Sequence, residues 1–259
     1  MTWRLGVVGD PVSHSRSPEL HRLGLAHAGL EGTSERIQLN ATQGEDLRTL
    51  LENSFDALSV TMPLKRVAFE ICEWRTPSAE RLGVVNSIRT RDGRIEGANT
   101  DGDGFVEALR GERGVTPQRR RFRVLGSGGS ATAIVDALVE HEAAAIEIVS
   151  RNAVTAAALA QRYGNVVTVG TTDAPIDVVV NTIPVTTRGD DGIAQGVTSA
   201  TVAVDITYEP AMTAWRLAHD NYGCKTMNGL AMLTYQAALQ MRWWWGSALD
   251  GHTLLESLA

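Results

Sequence analysis

Three groups of residues carry the types and spacing that chemistry needs. The first is Gly126-Ser127-Gly128-Gly129-Ser130-Ala131. A basic, β-rich approach over 121–125 stops at Gly126, and Ile134, Val135 and Leu138 follow at helical spacing. That pattern predicts a strand, a tight turn and a helix. Glycines in such a turn let the backbone approach a pyrophosphate closely, and free N–H groups at the helix N-terminus point at it. The spacing Gly126-x-Gly128-Gly129-x-Ala131 departs from G-x-G-x-x-G, so the turn is a dinucleotide-binding candidate whose support must come from its surroundings. The second group supplies some. Ala145-Ile-Glu-Ile-Val149 ends in Ser150-Arg151-Asn152, where an acidic residue would meet the ribose 2′-hydroxyl of NAD. A hydroxyl and a cation stand there instead, which suits a 2′-phosphate and favours NADP. The third group is Ser13-His14-Ser15-Arg16-Ser17-Pro18, with Thr61-Met62-Pro63-Leu64-Lys65 further on. Ser17 before Pro18 reads as a helix N-cap, whereas Ser15 lacks that explanation, and two hydroxyls beside a helix start form a good carboxylate clamp. Lys65 opens a helix, where a cation opposes the helix dipole, so it invites a chemical explanation.

The elements that must position these groups alternate. Trp3–Val8 reads as a strand running into Gly9-Asp10-Pro11, and Leu20, Leu23 and Leu25 mark a helix. Strand-like runs at 35–39, 56–60, 177–181 and 201–205 and an amphipathic stretch at 44–51 continue the rhythm. That rhythm implies α/β layers. The chain has 259 residues, enough for one large domain or two smaller ones with a core that needs no disulfides. Its net charge of −6, without a long basic run, argues against a nucleic-acid or anionic-membrane surface and for a small soluble ligand. Cys72 and Cys224 stand far apart without C-x-x-C spacing and read as inert buried thiols, so no metal site is expected. No basic head precedes a long apolar stretch and no run approaches a membrane span, which predicts a cytoplasmic protein.

Four motifs stand in order: Gly9-x-Pro11-x-x-His14-Ser15-x-Ser17-Pro18-x-x-His21, Val60-Thr61-x-Pro63-x-Lys65, Gly83-x-Val85-Asn86 and Gly97-x-Asn99-Thr100-Asp101-x-x-Gly104. With Asn181-Thr182-Ile183-Pro184, Asp205-Ile-Thr-Tyr208-Glu-Pro210 and Asn228-Gly229-x-x-Met232-Leu233-x-x-Gln236, they resemble the sequential signatures of the shikimate dehydrogenase family, over nearly the whole chain. The resemblance implies two α/β domains. Residues 1–101 and 230–259 would form a substrate-binding domain completed by the C-terminal helix, residues 102–229 a Rossmann-like NADP-binding domain, and the active site would lie in the cleft.

It also implies roles. Lys65 and Asp101 would be the catalytic pair at the reacting hydroxyl of shikimate or carbonyl of 3-dehydroshikimate, since oxidising a secondary alcohol needs a hydride acceptor and a proton acceptor. We assign the proton to Lys65 and orientation to Asp101, with the converse open. Ser15 and Ser17, helped by Tyr208, would bind the substrate carboxylate, and Thr61, Asn86 and Gln236 would read its ring hydroxyls. Gly126, Gly128, Gly129 and Ser130 would hold the pyrophosphate, Ser150, Arg151 and Asn152 the adenosine phosphate, and Ile206, Gly229 and Met232 would neighbour the nicotinamide. His14 and His21 are assigned to the scaffold. Any one of Thr61, Asn86 and Tyr208 alone would more often bond local backbone.

Three positions depart from the family pattern. Ser59 stands for an asparagine, so a contact to the substrate loop is expected to shorten or pass through water; Arg22 adds charge beside the clamp helix; Thr155 replaces an arginine that would support the 2′-phosphate. Quinate is the near rival substrate, and a catalytically silent NADP-binding regulator is the rival of another class, against which Lys65 and Asp101 both count. Trp243-Trp244-Trp245 occupies successive helical positions about 100° apart, so the three cannot all face one core. Packing beneath the substrate domain and an aromatic anchor for a homodimer both fit, and the chain is read as a monomer or homodimer.

Overall fold

The computed structural model describes residues 2–40, 44–185 and 195–258. The chain divides into two compact units, Met1–Thr100 with Thr234–Ala259, and Asp101–Leu233.

The first unit begins with β1 (Trp3–Gly9), α1 (Ser17–His27), β2 (Gly32–Gln38), α2 (Gly44–Asn53), β3 (Ala57–Val60), α3 (Lys65–Ile71), β4 (Trp74–Arg75), α4 (Pro77–Leu82), β5 (Ser87–Arg91) and β6 (Arg94–Ala98). Its sheet has the order β2-β1-β3-β5-β6-β4, with β1 parallel to β2 and β3, and β5 antiparallel to both β3 and β6. Asp92 and Gly93 turn the β5–β6 hairpin with φ of 51° and 76°. Two consecutive positive φ values are what a two-residue hairpin of type I′ requires. The strands β1 and β3 read as apolar runs because both faces are covered, one by α2, α3 and α4 and the other by α1 and the helix 229–245. Leu47, Leu51, Leu58, Val60, Leu64, Ala79, Val85 and Ile88 form one buried cluster with Cys72.

The second unit contains α5 (Asp101–Arg113), β7 (Arg121–Leu125), α6 (Gly129–Glu140), β8 (Ala145–Val149), α7 (Ala153–Tyr163), β9 (Val167–Val169), β10 (Val178–Asn181), β11 (Val202–Asp205), α8 (Ala214–Asn221) and β12 (Lys225–Met227). Its strands are all parallel in the order β12-β11-β10-β7-β8-β9. This is the doubly wound order 3-2-1-4-5-6 when counted from β7, so the strand order reverses between β7 and β10. Ligands of such sheets bind outside the carboxyl ends of the strands at that point. A buried ion pair crosses the interior of this sheet. Arg123 on β7 and Glu147 on β8 face each other in register, both with at most 1% of their surface exposed, with Nε to Oε2 at 2.8 Å. Thr172 donates to Glu147 from its N–H and its hydroxyl, and Arg123 donates to the carbonyls of Thr172 and Gln195, so every guanidinium nitrogen and both carboxylate oxygens have partners.

The helix α9 (Gly229–Trp245) then runs from the second unit into the first, and α10 (Gly251–Leu258) closes the chain. All three tryptophans at the end of α9 find neighbours within the first unit. Trp244 is buried with its ring centroid 5.1 Å from the His21 ring, and Trp245 lies 5.2 Å from Trp3. The Arg89 guanidinium covers Trp243 at 4.3 Å while paired with Glu96 at 2.7 Å. None of the three is exposed, because a paired arginine shields the ring that would otherwise meet water.

Candidate active site

The glycine turn of the second unit sits at the carboxyl end of β7, beside the point where strand order reverses. Gly126 adopts φ of 110° and donates to the Val149 carbonyl at 2.8 Å. Any side chain there would run into the Thr182 hydroxyl, which itself donates to the Leu125 carbonyl at 2.7 Å. Gly128 and Gly129 differ: no atom lies within 4 Å of where a Cβ would stand on either. Gly128 caps α6 with extended backbone and no side-chain bond, and the first turn of α6 holds no acid. The N-terminal amides of α6 therefore open onto unfilled space, which fits a pyrophosphate. Asn181, at the end of β10, uses Oδ1 to hold the Ile183 N–H at 3.1 Å, while its buried Nδ2 has no acceptor among the described residues.

At the end of β8, Arg151 is exposed and Asn152 caps α7 by accepting from the Thr155 N–H at 3.1 Å. Ser127, within the glycine turn, bonds the hydroxyls of Ser150 at 2.8 Å and Thr155 at 2.6 Å. Thr155 is thus part of a hydroxyl cluster joining the glycine turn to the end of β8, and Ser127 is its centre. Sequence reading passed over Ser127, although a small polar residue between glycines was the available signal.

Ile206 and Gly229 come together past the end of β11. The Gly229 N–H donates to the Thr207 carbonyl at 3.1 Å, and a side chain on Gly229 would collide with the Ile206 carbonyl oxygen. Met232 is half-buried one turn along α9. The loop bearing Tyr208 is tied at both ends by Asp205, whose carboxylate accepts from the Thr207 N–H at 3.1 Å and the Thr213 hydroxyl at 2.6 Å.

In the first unit, Ser15 and Ser17 hydroxyls lie 3.2 Å apart at the start of α1. Ser17 is not the N-cap. The helix begins at Ser17 itself, Arg16 occupies the cap position without a side-chain bond of its own, and the Ser17 N–H donates to the Ser15 hydroxyl at 3.3 Å. The Ser17 hydroxyl is therefore turned to Ser15 rather than to its own helix. The loop is braced by Arg36 Nε, which donates to the Ser15 carbonyl at 2.8 Å. Thr61 leaves β3 by donating its N–H to Val8 at 2.9 Å, and the half-buried Lys65 opens α3, its carbonyl accepting from the Val85 N–H at 2.9 Å. Asn86 is buried: Oδ1 accepts from the Thr100 N–H at 3.0 Å, and Nδ2 donates to the Thr100 hydroxyl at 3.1 Å and more distantly to Gln236 Oε1 at 3.5 Å. Asn86, Thr100 and Gln236 form one amide cluster. Asp101, half-buried, follows as the first residue of α5 and of the second unit.

No group of three or more metal-ligating side chains converges among the described residues. A doubly wound sheet with an open glycine turn at its switch point, preceded by an α/β unit bearing paired hydroxyls and an amide cluster, defines a nicotinamide-dinucleotide-dependent oxidoreductase. Residues 7–88 match the model of the shikimate dehydrogenase substrate binding domain. A shikimate dehydrogenase (NADP+) of an Exiguobacterium species is 34% identical over 98% of both chains. The Thermus thermophilus shikimate 5-dehydrogenase, solved with NADP(H) and shikimate, superposes with a TM-score of 0.86 at 30% identity over 98% of both chains. A Gluconobacter 5-ketofructose reductase also superposes with a TM-score of 0.86, at 26% identity over 100% of this chain and 98% of that one. The chain belongs to the shikimate dehydrogenase family.

Proposed function

We propose that the protein catalyses the reversible reduction of 3-dehydroshikimate to shikimate with NADPH, the shikimate dehydrogenase step towards chorismate and the aromatic amino acids. The observation that carries this reading is the end-to-end likeness, in sequence and structure, to enzymes of that name, one of them solved with NADP(H) and shikimate. We read the work as cytoplasmic, in keeping with a diffusible cofactor and a small polar substrate; among the described residues no helix is long and apolar enough to cross a membrane.

NADPH, when bound, supplies the hydride. The open turn at Gly126, Gly128, Gly129 and Ser130 would hold its pyrophosphate and Ser150, Arg151 and Asn152 its adenosine phosphate, with Ile206, Gly229 and Met232 beside the nicotinamide. The paired hydroxyls of Ser15 and Ser17, with Tyr208, bind the substrate carboxylate. Thr61, Asn86 and Gln236 read the ring hydroxyls, and each such donor or acceptor left unpaired by a wrong ligand penalises it. Lys65 Nζ gives its proton to the carbonyl oxygen in reduction and recovers it in oxidation, and the Asp101 carboxylate orients both groups.

Initial rates with shikimate, quinate and 5-ketofructose, each with NADP and NAD in the appropriate redox form, test the proposal. Turnover confined to shikimate with NADP, and reduced by about 10³-fold or more in Lys65→Ala, is the expected result. Comparable quinate and NAD rates would make it a broader quinate/shikimate enzyme. Preferential reduction of 5-ketofructose would place it with the Gluconobacter enzyme, and NADP binding without any turnover would leave a silent regulator.

A further inference from the structure

The first unit contains a buried hydrogen-bonded chain that the proposed chemistry does not use. His21 on α1 is fully buried, with Nδ1 at 2.8 Å from the Ser34 hydroxyl on β2 and Nε2 at 3.0 Å from the Ser59 hydroxyl on β3. Ser59 donates to Gln240 Oε1 at 2.9 Å, and Gln240 Nε2 donates to the Asn86 carbonyl at 3.0 Å. Ser59 and Gln240 are buried as well. Four side chains on four elements thus lead from the outer strand β2 to the backbone of Asn86.

The direction of the chain is fixed by counting protons. The Gln240 Nε2 group donates to Asn86, so Gln240 Oε1 is the acceptor and the Ser59 hydroxyl must spend its one hydrogen there. Ser59 then has only lone pairs for His21, which makes Nε2 the protonated nitrogen. Nδ1 is left as the acceptor of the Ser34 hydroxyl. A neutral imidazole with one donor and one acceptor meets both demands. Burial, reinforced by the charge of Arg22, keeps His21 neutral.

Gln236 and Gln240 are one turn apart on α9 and therefore share a face. Gln236 meets the side-chain amide of Asn86 and Gln240 its main-chain carbonyl, which also accepts from the Val60 N–H at 2.7 Å. A helix that grips one asparagine at both ends fixes the direction in which its amide is presented. An unsatisfied buried polar group is costly, so each link holds its neighbours in a single arrangement. The Ser59 hydroxyl joins His21 to Gln240.

We propose that Ser59 and Gln240, seated by His21, are positioning residues that set substrate affinity through Asn86, an inference that rests on the reading of Asn86 as a contact to the substrate ring. In kinetics of the full-length enzyme with shikimate, Ser59→Ala and Gln240→Met are expected to raise KM for shikimate about tenfold with kcat changed far less. The Kd for NADP, measured by fluorescence titration, is expected to stay unchanged, and Ser59→Thr, which keeps the hydroxyl, is expected to restore the KM lost in Ser59→Ala. A merely structural role would not show that rescue together with that split. If Asn86→Ala raises KM for shikimate and Ser59→Ala does not, the positioning role is overturned while the reading of Asn86 stands. If Asn86→Ala leaves KM unchanged, the reading of Asn86 fails first. Nitrogen-15 NMR of labelled histidine is expected to show His21 as the Nε2–H tautomer, and an Nδ1–H tautomer would overturn the assigned direction. Ser59→Ala removes a single oxygen, so folding is retained even where Gln240→Met unfolds the protein.

Discussion

Acid should unfold this protein in part through one histidine. The His21 pKa is lowered from 6.5 to about 3, first by burial and then by the Arg22 charge. Below 6.5 the unfolded chain binds a proton at His21 while the folded one does not until the pH nears 3. Stability therefore falls as pH falls through that window, and above it the group contributes almost nothing. At about 1.4 kcal/mol per pH unit, the loss amounts to about 3 kcal/mol between roughly pH 7 and pH 4. The geometry gives the same sign. A doubly protonated ring would donate from both nitrogens, so the Ser34 hydroxyl would have to turn its hydrogen away from Nδ1 within a buried site. The comparison is urea unfolding of wild type and His21→Gln, each near pH 7 and near pH 4, since glutamine does not titrate there. Wild type should lose about 3 kcal/mol more than the variant across that interval. Equal losses in the two proteins would refute the reasoning, whatever the variant's stability at neutral pH.

Two other outcomes follow from buried groups. Arg123→Met leaves the buried Glu147 carboxylate with only Arg121, 3.7 Å away and partly exposed, as its cation and should cost about 3 kcal/mol in denaturant unfolding, whereas the pair Arg123→Met with Glu147→Leu should recover most of it; a double variant no better than the single would contradict this. Cys72 is pushed up to about 12 by burial, against the opposing charges of Arg75 and Arg48, so at pH 8 a thiol-specific disulfide reagent should titrate it only after denaturant is added, and rapid reaction in the native protein would show the site to be open.

The turn at Gly126 was legible because its demand is local: strand, bare backbone and helix follow within a dozen residues. The hairpin between β5 and β6 was equally open to reading, since Asp92-Gly93 is a strong two-residue turn signal, yet it lay among motifs read for chemistry. Ser17 was misplaced by one position because residue types favour a serine as the cap, whereas the backbone puts Arg16, which has no acceptor, in that position. Ser127, Ser150 and Thr155 are separated by 23 and 28 residues, and the link from Ser59 to Gln240 spans 181. Helical and strand periods report which face a residue occupies and say nothing of partners that far away. The amide cluster at Asn86 and the chain behind it arise from packing alone, and the sequence offered only residue types.

The tryptophans have a use apart from packing. Trp3, Trp74, Trp243, Trp244 and Trp245 belong to the first unit and only Trp215 to the second. Intrinsic fluorescence thus reports almost entirely on one unit, while far-ultraviolet circular dichroism reports on the helices of both. Coincident melting curves by the two methods would mean that the units unfold as one cooperative body, and an early fluorescence change would mean that the first unit melts alone.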